Sequence, residues 1–312
     1  MTAGSRVRII GYLCALGAGA IWGTTGPLST ALYSEGQALT GIGFWRVLLG
    51  TAGLALWALF FQRDLFTIDK RGVLLMGLLG GAMVALFEVA YQFGIAGTGV
   101  AGAAALLYVA PVIVAVVAKP LLGERLTTLR LALAAAVMLG AALTVLGGSR
   151  GAGLIGVPLP SLLAGVLGGL LAALSYATTT VLARWTVPRY GSFRMLFWEA
   201  LGGVVILGVV LAVKDRHLPA LPPTAGAWIY ILALALGGVV IANFLFFAGV
   251  RRIEAAPTAV AATIEPVVGT LLALLLFNQR LSLLGWIGLL MVVGGVAAGY
   301  LKEGAAEPAP PA

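Results

Sequence analysis

The feature that most constrains this chain is a series of ten long apolar runs, almost free of charged residues. A helix needs about 20 such residues to cross the hydrocarbon core of a bilayer. The runs lie near residues 9–32, 38–61, 72–93, 99–119, 127–147, 161–183, 193–213, 226–248, 256–277 and 282–301. A barrel of strands would instead show alternation over shorter segments. The pattern therefore predicts an all-α integral membrane protein with ten transmembrane helices.

The composition agrees with a membrane as the solvent. Of the 312 residues, 61% are hydrophobic and 10% are charged, whereas a soluble domain is about 45–50% apolar and about 25% charged. The first run is longer than the roughly 7–15 apolar residues of a signal peptide. We interpret it as the first transmembrane helix.

The positive residues are distributed unequally between the two sides of the predicted membrane. Ten spans place both termini on one side, where fourteen Lys and Arg residues lie, against four on the other. Positive residues accumulate on the cytoplasmic face. The distribution predicts that both termini are cytoplasmic, in a bacterial inner (plasma) membrane. It also accounts for the net charge of +8 without any nucleic-acid partner.

The chain contains an internal repeat. PVIVAVVAKPLLGERLTTL, from Pro111, aligns without a gap with PVVGTLLALLLFNQRLSLL, from Pro266, at an offset of 155 residues. Four other matches have similar offsets. At 155 residues, Glu88 pairs with Asn243 and YQFG at Tyr91 pairs with FFAG at Phe246. WGTT at Trp22 pairs with YATT at Tyr176 at 154 residues, and FWR at Phe44 pairs with FWE at Phe197 at 153 residues. Helices 1–5 thus match helices 6–10. Because five is odd, the second copy must enter the membrane upside down.

This repeat divides the chain into residues 1–155, residues 156–302 and a C-terminal tail, 303–312, predicted to be disordered from its Ala and Pro content. Charge agrees with the inversion. GIAGTGVAG, between helices 3 and 4, is uncharged, whereas its counterpart GVRRIEAAP carries Arg251 and Arg252. Inverted repeats are typical of secondary transporters, whose halves rock about a site at mid-depth. A duplicated scaffold without a transport role is the alternative.

The motifs resemble those of a known family. AIWGTTGPLS in helix 1, FWRVLLG in helix 2, and a proline in helix 4 followed by GERLT resemble the EamA-type exporters of the drug/metabolite transporter superfamily. The resemblance covers residues 9–301 and is greatest to bacterial aromatic amino-acid exporters. It implies two EamA-like repeats, a central cavity open alternately to each side, and export of metabolites such as amino acids. GERLT has become NQRLS in the second half, so any role of Glu124 would be confined to the cytoplasmic turn.

Four charged residues lie away from the ends of the predicted spans: Arg46, Glu88, Glu199 and Glu265. A charge at mid-helix costs about 2.5–3.5 kcal/mol on insertion scales, so such residues usually face a partner or a wet cavity. Arg46 and Glu88 have similar predicted depths and could form an ion pair. That pair is either a structural lock or part of the site, with Arg46 binding a substrate carboxylate and Glu88 or Glu265 receiving an amine or a proton.

Deep aromatic and amide side chains complete the predicted substrate site. They are Trp22, Phe44, Tyr91, Gln92, Tyr108, Tyr176, Trp198, Asn243 and Phe246. Aromatic rings in a central cavity would hold an apolar or aromatic solute. Packing between helices or against lipid is the alternative for the rings, and helix-to-helix hydrogen bonding is the alternative for the amides.

Two prolines are candidate hinges. Pro111 and Pro266 occupy matching positions in helices 4 and 9, where a proline removes a backbone hydrogen bond and bends the helix. A bend at the same place in both halves suits a rocking motion. A static kink that shapes the cavity is the alternative interpretation.

The sequence contains no GK[ST] phosphate loop and no Cys/His cluster, so we expect no nucleotide drive, metal or cofactor. It predicts a secondary transporter, not an enzyme, that exports small metabolites, most of all amino acids including aromatic or apolar ones. The partners that it predicts are this solute and the membrane lipid, and a monomer would be sufficient. One alternative is an organophosphate or nucleotide-sugar exchanger, which would favour several Lys or Arg residues in the cavity. Another is a membrane-embedded lipid-modifying enzyme, which would need a polar constellation at the interface. Ion coupling and facilitated diffusion both remain open.

Overall fold

The computed structural model describes residues 3–110, 113, 128–147, 159–253, 258, 261, 262 and 264–306. These residues form helices and connecting turns, with no strand among them, which confirms the predicted all-α class. The α-helices are α1 (Ala3–Gly23), α2 (Thr25–Ser34), α3 (Leu39–Phe61), α4 (Lys70–Gly72), α5 (Gly81–Leu107), α6 (Thr128–Leu146), α7 (Leu159–Tyr190), α8 (Ser192–Asp215), α9 (Ala225–Leu232), α10 (Ala242–Ile253), α11 (Glu265–Phe277) and α12 (Leu283–Ala306).

Two π-helical segments continue these helices. Val73–Gly80 joins α4 to α5, and Ala233–Ile241 joins α9 to α10. Each lies in the third predicted transmembrane span of its half of the chain. Segments of this kind are rare and are frequent at functional sites.

In the described part of the chain, six helical stretches are long and apolar enough to cross a membrane. They are Arg6–Ser34, Leu39–Phe61, Lys70–Leu107, Leu159–Ala183, Ser192–Lys214 and Ala225–Ile253. Shorter apolar helices, Ala135–Thr144, Glu265–Phe277 and Leu283–Gly295, accompany them. Large apolar side chains cover the outside, as at Phe60 and Leu275, which are 75% and 77% exposed. Hydrocarbon is the solvent that such a surface needs.

The longest of these stretches contains a sharp break at Gly99, where φ is +74°. Only glycine adopts that conformation readily. A Cβ atom at Gly94 would lie 3.5 Å from the Cβ of Ala103, although nine residues of straight helix span about 13.5 Å. The chain therefore turns back at this point, where the sequence predicts the boundary between helices 3 and 4.

Two predicted features lie at the ends of described helices. The second predicted hinge, Pro266, lies in the first turn of α11, which begins at Glu265. There its missing N–H has no helical partner and its fixed φ suits the helix, so it starts this helix directly after the turn at Ile264. Pro111 lies outside the described residues. At the other end, α12 continues to Ala306, so the tail predicted to be disordered begins in a helix.

Glycines bring the helices close together within the chain. A Cβ atom at Gly202 of α8 would overlap the carbonyl oxygen of Gly77, and one at Gly81 would lie 2.6 Å from the carbonyl carbon of Gly202. The α5–α7 crossing is equally close, because a Cβ atom at Gly97 would lie 2.6 Å from the Cα of Gly165. Small residues permit such approach between membrane helices.

Candidate functional site

A cavity of about 450 Å³ lies between the two halves of the chain. Its volume falls in the range of small-molecule sites, roughly 300–1,000 Å³. Residues of α1, α2, α3, α5 and Tyr108 line it from the first half, and residues of α7, α8, Ala233–Ile241, α10 and α11 line it from the second. Both repeats therefore build one site.

Most of the residues predicted for the substrate site line this cavity. They are Trp22, Arg46, Glu88, Tyr91, Tyr108, Tyr176, Glu199, Asn243, Phe246 and Glu265. The four charged residues predicted inside the membrane thus surround one space.

Three predicted residues do not line the cavity and make other contacts. Phe44 is 4% exposed and packs in a cluster with Leu207 and Leu211. Gln92 is fully buried and accepts a hydrogen bond from the hydroxyl of Tyr33 at 2.6 Å. Trp198 donates its indole N–H to the backbone oxygen of Leu65 at 3.0 Å. These three side chains join helices to one another.

Arg46 and Glu88 form the predicted ion pair. Nη1 of Arg46 lies 3.5 Å from Oε2 of Glu88, and both side chains are more than nine-tenths buried. The contact is long and single, and Nε of Arg46 has no hydrogen-bond partner among the described residues. An arginine fork can bind a carboxylate through two parallel hydrogen bonds. This guanidinium therefore keeps donor capacity beyond its bond to Glu88.

Glu265 begins α11 and faces the same cavity. Its Oε2 accepts a hydrogen bond from the hydroxyl of Tyr108 at 3.3 Å. Since Tyr108 follows α5, this bond joins the two halves across the site. It gives this half-buried carboxylate one neutral donor.

Glu199 differs from these two carboxylates in having no partner. It is 8% exposed and receives no hydrogen bond or ion pair from any described residue. Its carboxylate lies against Gly80, the last residue of the first π-helical segment. A Cβ atom at position 80 would stand 2.6 Å from Cγ of Glu199 and 2.8 Å from Oε1. Glycine at that position leaves the space that this side chain fills.

Aromatic rings form much of the remaining wall. Trp22 and Phe246 lie 5.4 Å apart and are tilted by 48°, and Phe87 stacks on Tyr91 at 5.4 Å. The indole N–H of Trp22 donates to the carbonyl oxygen of Gly238 at 3.0 Å. Asn243 donates to the carbonyl of Val239 at 3.0 Å. The second π-helical segment therefore supplies carbonyl acceptors that hold two cavity residues.

The cavity wall follows the internal repeat. Many pairs of equivalent positions in the two halves line the cavity, among them Trp22 and Tyr176, Thr25 and Thr179, Arg46 and Glu199, Glu88 and Asn243, and Tyr91 and Phe246. Thr25 and Thr179 were not among the predicted site residues, although WGTT and YATT contain them. Ser175, Thr180 and Ser192 also line the cavity, and no motif distinguishes them.

Matching polar contacts join the two halves outside the cavity. Asp69 accepts from Arg189 and from the hydroxyl of Tyr190, both at 2.7 Å. Thr224 donates to Glu35 at 2.6 Å. Thr224 is 155 residues after Asp69 and Arg189 is 154 after Glu35, so the two contacts occupy equivalent positions of the repeat.

The first of these contacts affects the ionisation of both partners. The Tyr190 hydroxyl holds the pKa of the Asp69 carboxyl below its usual value, and the backbone N–H of Gly72 and the Arg189 guanidinium act in the same direction. The hydrogen bond to Asp69 in turn raises the pKa of Tyr190. Asp69 is consequently ionised at neutral pH.

Comparison with known proteins agrees with this architecture. The model of the EamA-like transporter family matches residues 9–146 and again residues 163–300. An uncharacterized transporter of Archaeoglobus fulgidus is 26% identical over 273 residues, which cover 87% of this chain and 90% of that protein. A solved crystal structure of a protein covers 97% of this chain and 99% of its own, with a TM-score of 0.64 and 21% identity. The latter shows a shared fold.

Proposed function

The chain belongs to the EamA-like transporter family, and on this premise we propose that it is a secondary transporter that exports small metabolites. We propose amino acids as the solutes, aromatic or apolar ones included. Export would proceed by alternating access across a bacterial inner membrane, with both termini cytoplasmic. The family is one of transporters, and this function needs no catalytic residue.

The observation that carries the proposal is the content of the cavity. An amino acid presents a carboxylate, an ammonium group and a side chain. Arg46 offers guanidinium donors, Glu88, Glu199 and Glu265 offer carboxylates, and the rings at Trp22, Phe87, Tyr91 and Phe246 offer apolar surface. The volume of about 450 Å³ is sufficient for one such solute. Each chemical part of the solute thus has a counterpart in the wall.

The same cavity disfavours the organophosphate alternative. Anions of two or more charges are bound by several Lys or Arg residues. Among the described lining residues Arg46 is the single Lys or Arg, and it stands with three glutamates. Those carboxylates would repel a phosphate.

Two features support alternating access. The cavity is lined by equivalent positions of both halves, and equivalent polar contacts, Asp69 with Arg189 and Thr224 with Glu35, join the halves outside it. In an inverted repeat such contacts would lie at opposite ends of the solute path. Breaking one while keeping the other would expose the cavity to one side at a time.

Counterflow with purified protein in liposomes tests the proposal. Vesicles loaded with an unlabelled amino acid should take up the same labelled amino acid faster than protein-free vesicles. A panel of aromatic, aliphatic and charged amino acids, with a nucleotide sugar and a sugar phosphate added, assigns the solute. Exchange of the phosphorylated compounds alone would favour the organophosphate alternative and reject amino-acid export.

A further inference from the structure

Glu199 is the cavity carboxylate without a partner. It is more than nine-tenths buried, and in the described part of the chain neither a cation nor a hydrogen-bond donor contacts it. Glu88 has Arg46, and Glu265 has the hydroxyl of Tyr108. Burial without compensation penalises an ionised carboxylate strongly. A proton or a cation from outside the protein is therefore the natural partner of Glu199.

The internal repeat strengthens this assignment. Glu199 occupies the position equivalent to Arg46, 153 residues later in the chain. Arg46 lines the cavity from α3 and Glu199 lines it from α8, which are the second membrane-length stretches of their halves. The position that supplies a cation in one half supplies an anion in the other, so the two cannot be explained as a shared packing requirement.

The cavity that Glu199 lines suits an organic cation. The cavity wall carries the rings of Trp22, Tyr91 and Phe246, whose faces attract ammonium groups. A carboxylate together with aromatic faces satisfies both the charge and the apolar body of an amine. A metal cation would instead require several oxygen ligands converging on one point, and Glu199 is joined by no such group among the described contacts.

We infer that Glu199 binds the ammonium group of the solute and that the cavity accepts aromatic amines without a carboxylate. The inference rests on the proposed function only in taking the cavity as the solute site. It extends the solute class from amino acids to monoamines. Arg46 is not needed for this binding, because a monoamine has no carboxylate for it.

The test is binding of 2-phenylethylammonium to the purified full-length protein, measured by calorimetry near pH 7. We expect saturable binding to the native chain and a loss of about tenfold or more in Glu199→Gln, since a hydrogen bond to a charged group is removed. Asp64→Asn is the matched control, because Asp64 does not line the cavity, its side chain is 61% exposed, and asparagine keeps an acceptor oxygen for Arg194. Its affinity should equal that of the native chain.

Two neutral or anionic relatives of the probe keep the inference testable even if Glu199→Gln does not fold. 2-Phenylethanol has the same body without charge, and 3-phenylpropionate replaces the cation by an anion. Both should bind the native protein at least about tenfold more weakly than the amine. Equal affinity for the alcohol and the amine overturns the inference, as does unchanged amine binding in Glu199→Gln.

The outcomes separate this inference from the proposed function. Amino-acid counterflow without amine binding leaves the transport proposal standing and overturns the role of Glu199. Amine binding lost in Glu199→Gln, without amino-acid counterflow, supports Glu199 and rejects amino acids as solutes. If Glu199→Gln removes a dependence on the pH gradient but not amine binding, Glu199 is a proton site and the inference is overturned.

Discussion

Asp69 and Thr224, equivalent residues 155 positions apart, each bind a residue of the opposite half. Asp69 binds Arg189 in the last turn of α7, and Thr224 binds Glu35, which follows α2. Both also cap a helix, because Asp69 accepts from the N–H of Gly72 at 2.8 Å and Thr224 accepts from that of Ala227 at 3.0 Å. The contacts differ in chemistry, since Asp69 forms an ion pair with Arg189 whereas Thr224 offers a hydroxyl to Glu35. Under alternating access this difference would bias the resting conformation.

Replacing Asp69 should shift that bias. Asp69→Ala removes the bonds to Arg189 and Tyr190 and is expected to raise access to the cavity from the side of that contact, by up to about fivefold. Thr224→Ala should raise access from the opposite side. A cysteine in place of Thr179, a half-buried cavity residue, with Cys14 replaced by alanine, reports access through labelling by impermeant maleimides applied to either face. Equal labelling from both faces in all variants contradicts the gating role.

The Asp69 contact should be insensitive to pH in the physiological range. Because the pKa of Asp69 is lowered in the folded chain, the contribution of the contact is complete above the ordinary aspartate value, about 3.9, and is lost as pH falls through the lower folded value. Spin labels on cysteines replacing Thr67 and Pro188 should keep their distance between about pH 5 and 8 and separate only in stronger acid. Separation near pH 6 would contradict this assignment.

Arg46→Ala should abolish transport while leaving folded protein in the membrane. The variant strands Glu88 as a buried charge without its partner, which costs about 3–5 kcal/mol. The double variant Arg46→Met/Glu88→Gln removes that charge and separates two roles. Counterflow should stay absent in the double variant if Arg46 binds the solute. Restored counterflow would instead identify the pair as a structural lock.

Gly80→Ala should displace the Glu199 carboxylate. The added methyl group would stand 2.6 Å from Cγ and 2.8 Å from Oε1 of Glu199, so that side chain must move. We expect weaker 2-phenylethylammonium binding, by about tenfold. Gly294→Ala is the matched control, since a Cβ atom there meets nothing within 4 Å. A Gly80→Ala protein that binds the amine normally would show that the carboxylate position is unimportant.

Gly202→Ala should lower the free energy of unfolding of the protein, because it disturbs the packing of two helices outside the cavity. The new Cβ atom would overlap the backbone of Gly77, which cannot move without separating α8 from the first π-helical segment. Overpacking of this kind costs about 1–3 kcal/mol or more. Thermal unfolding in detergent should show a clearly lowered midpoint, whereas Gly294→Ala should match the native chain.

The sequence predicted the helical class and many of the residues that line the cavity, because both depend on patterns that recur. Apolar run length identifies a membrane helix, and the WGTT and YATT match identifies Trp22 and Tyr176, which both line the cavity. The pairing of Arg46 with Glu88 was predicted because an unpaired charge at mid-depth in the membrane has a high free-energy cost. None of these patterns depends on how each helix is rotated about its own axis.

Rotation is what the sequence left undetermined. The FWR motif contains a packing residue, Phe44, and a cavity residue, Arg46, which are about 200° apart around a helix of 3.6 residues per turn. Tyr91 and Gln92 differ in the same way, by about 100°. The repeat identifies the motif but not the face that meets the cavity. The two π-helical segments were not predicted either.

The unlike charges of Arg46 and Glu199 give the cavity an electrical direction. Two copies of the first half would confront a solute with two guanidinium groups, and two copies of the second with two carboxylates. A fused pair of diverged halves places one guanidinium group and one carboxyl group of equivalent positions in the same cavity. A dipolar cargo would therefore travel in a fixed orientation, which an assembly of identical subunits could not impose.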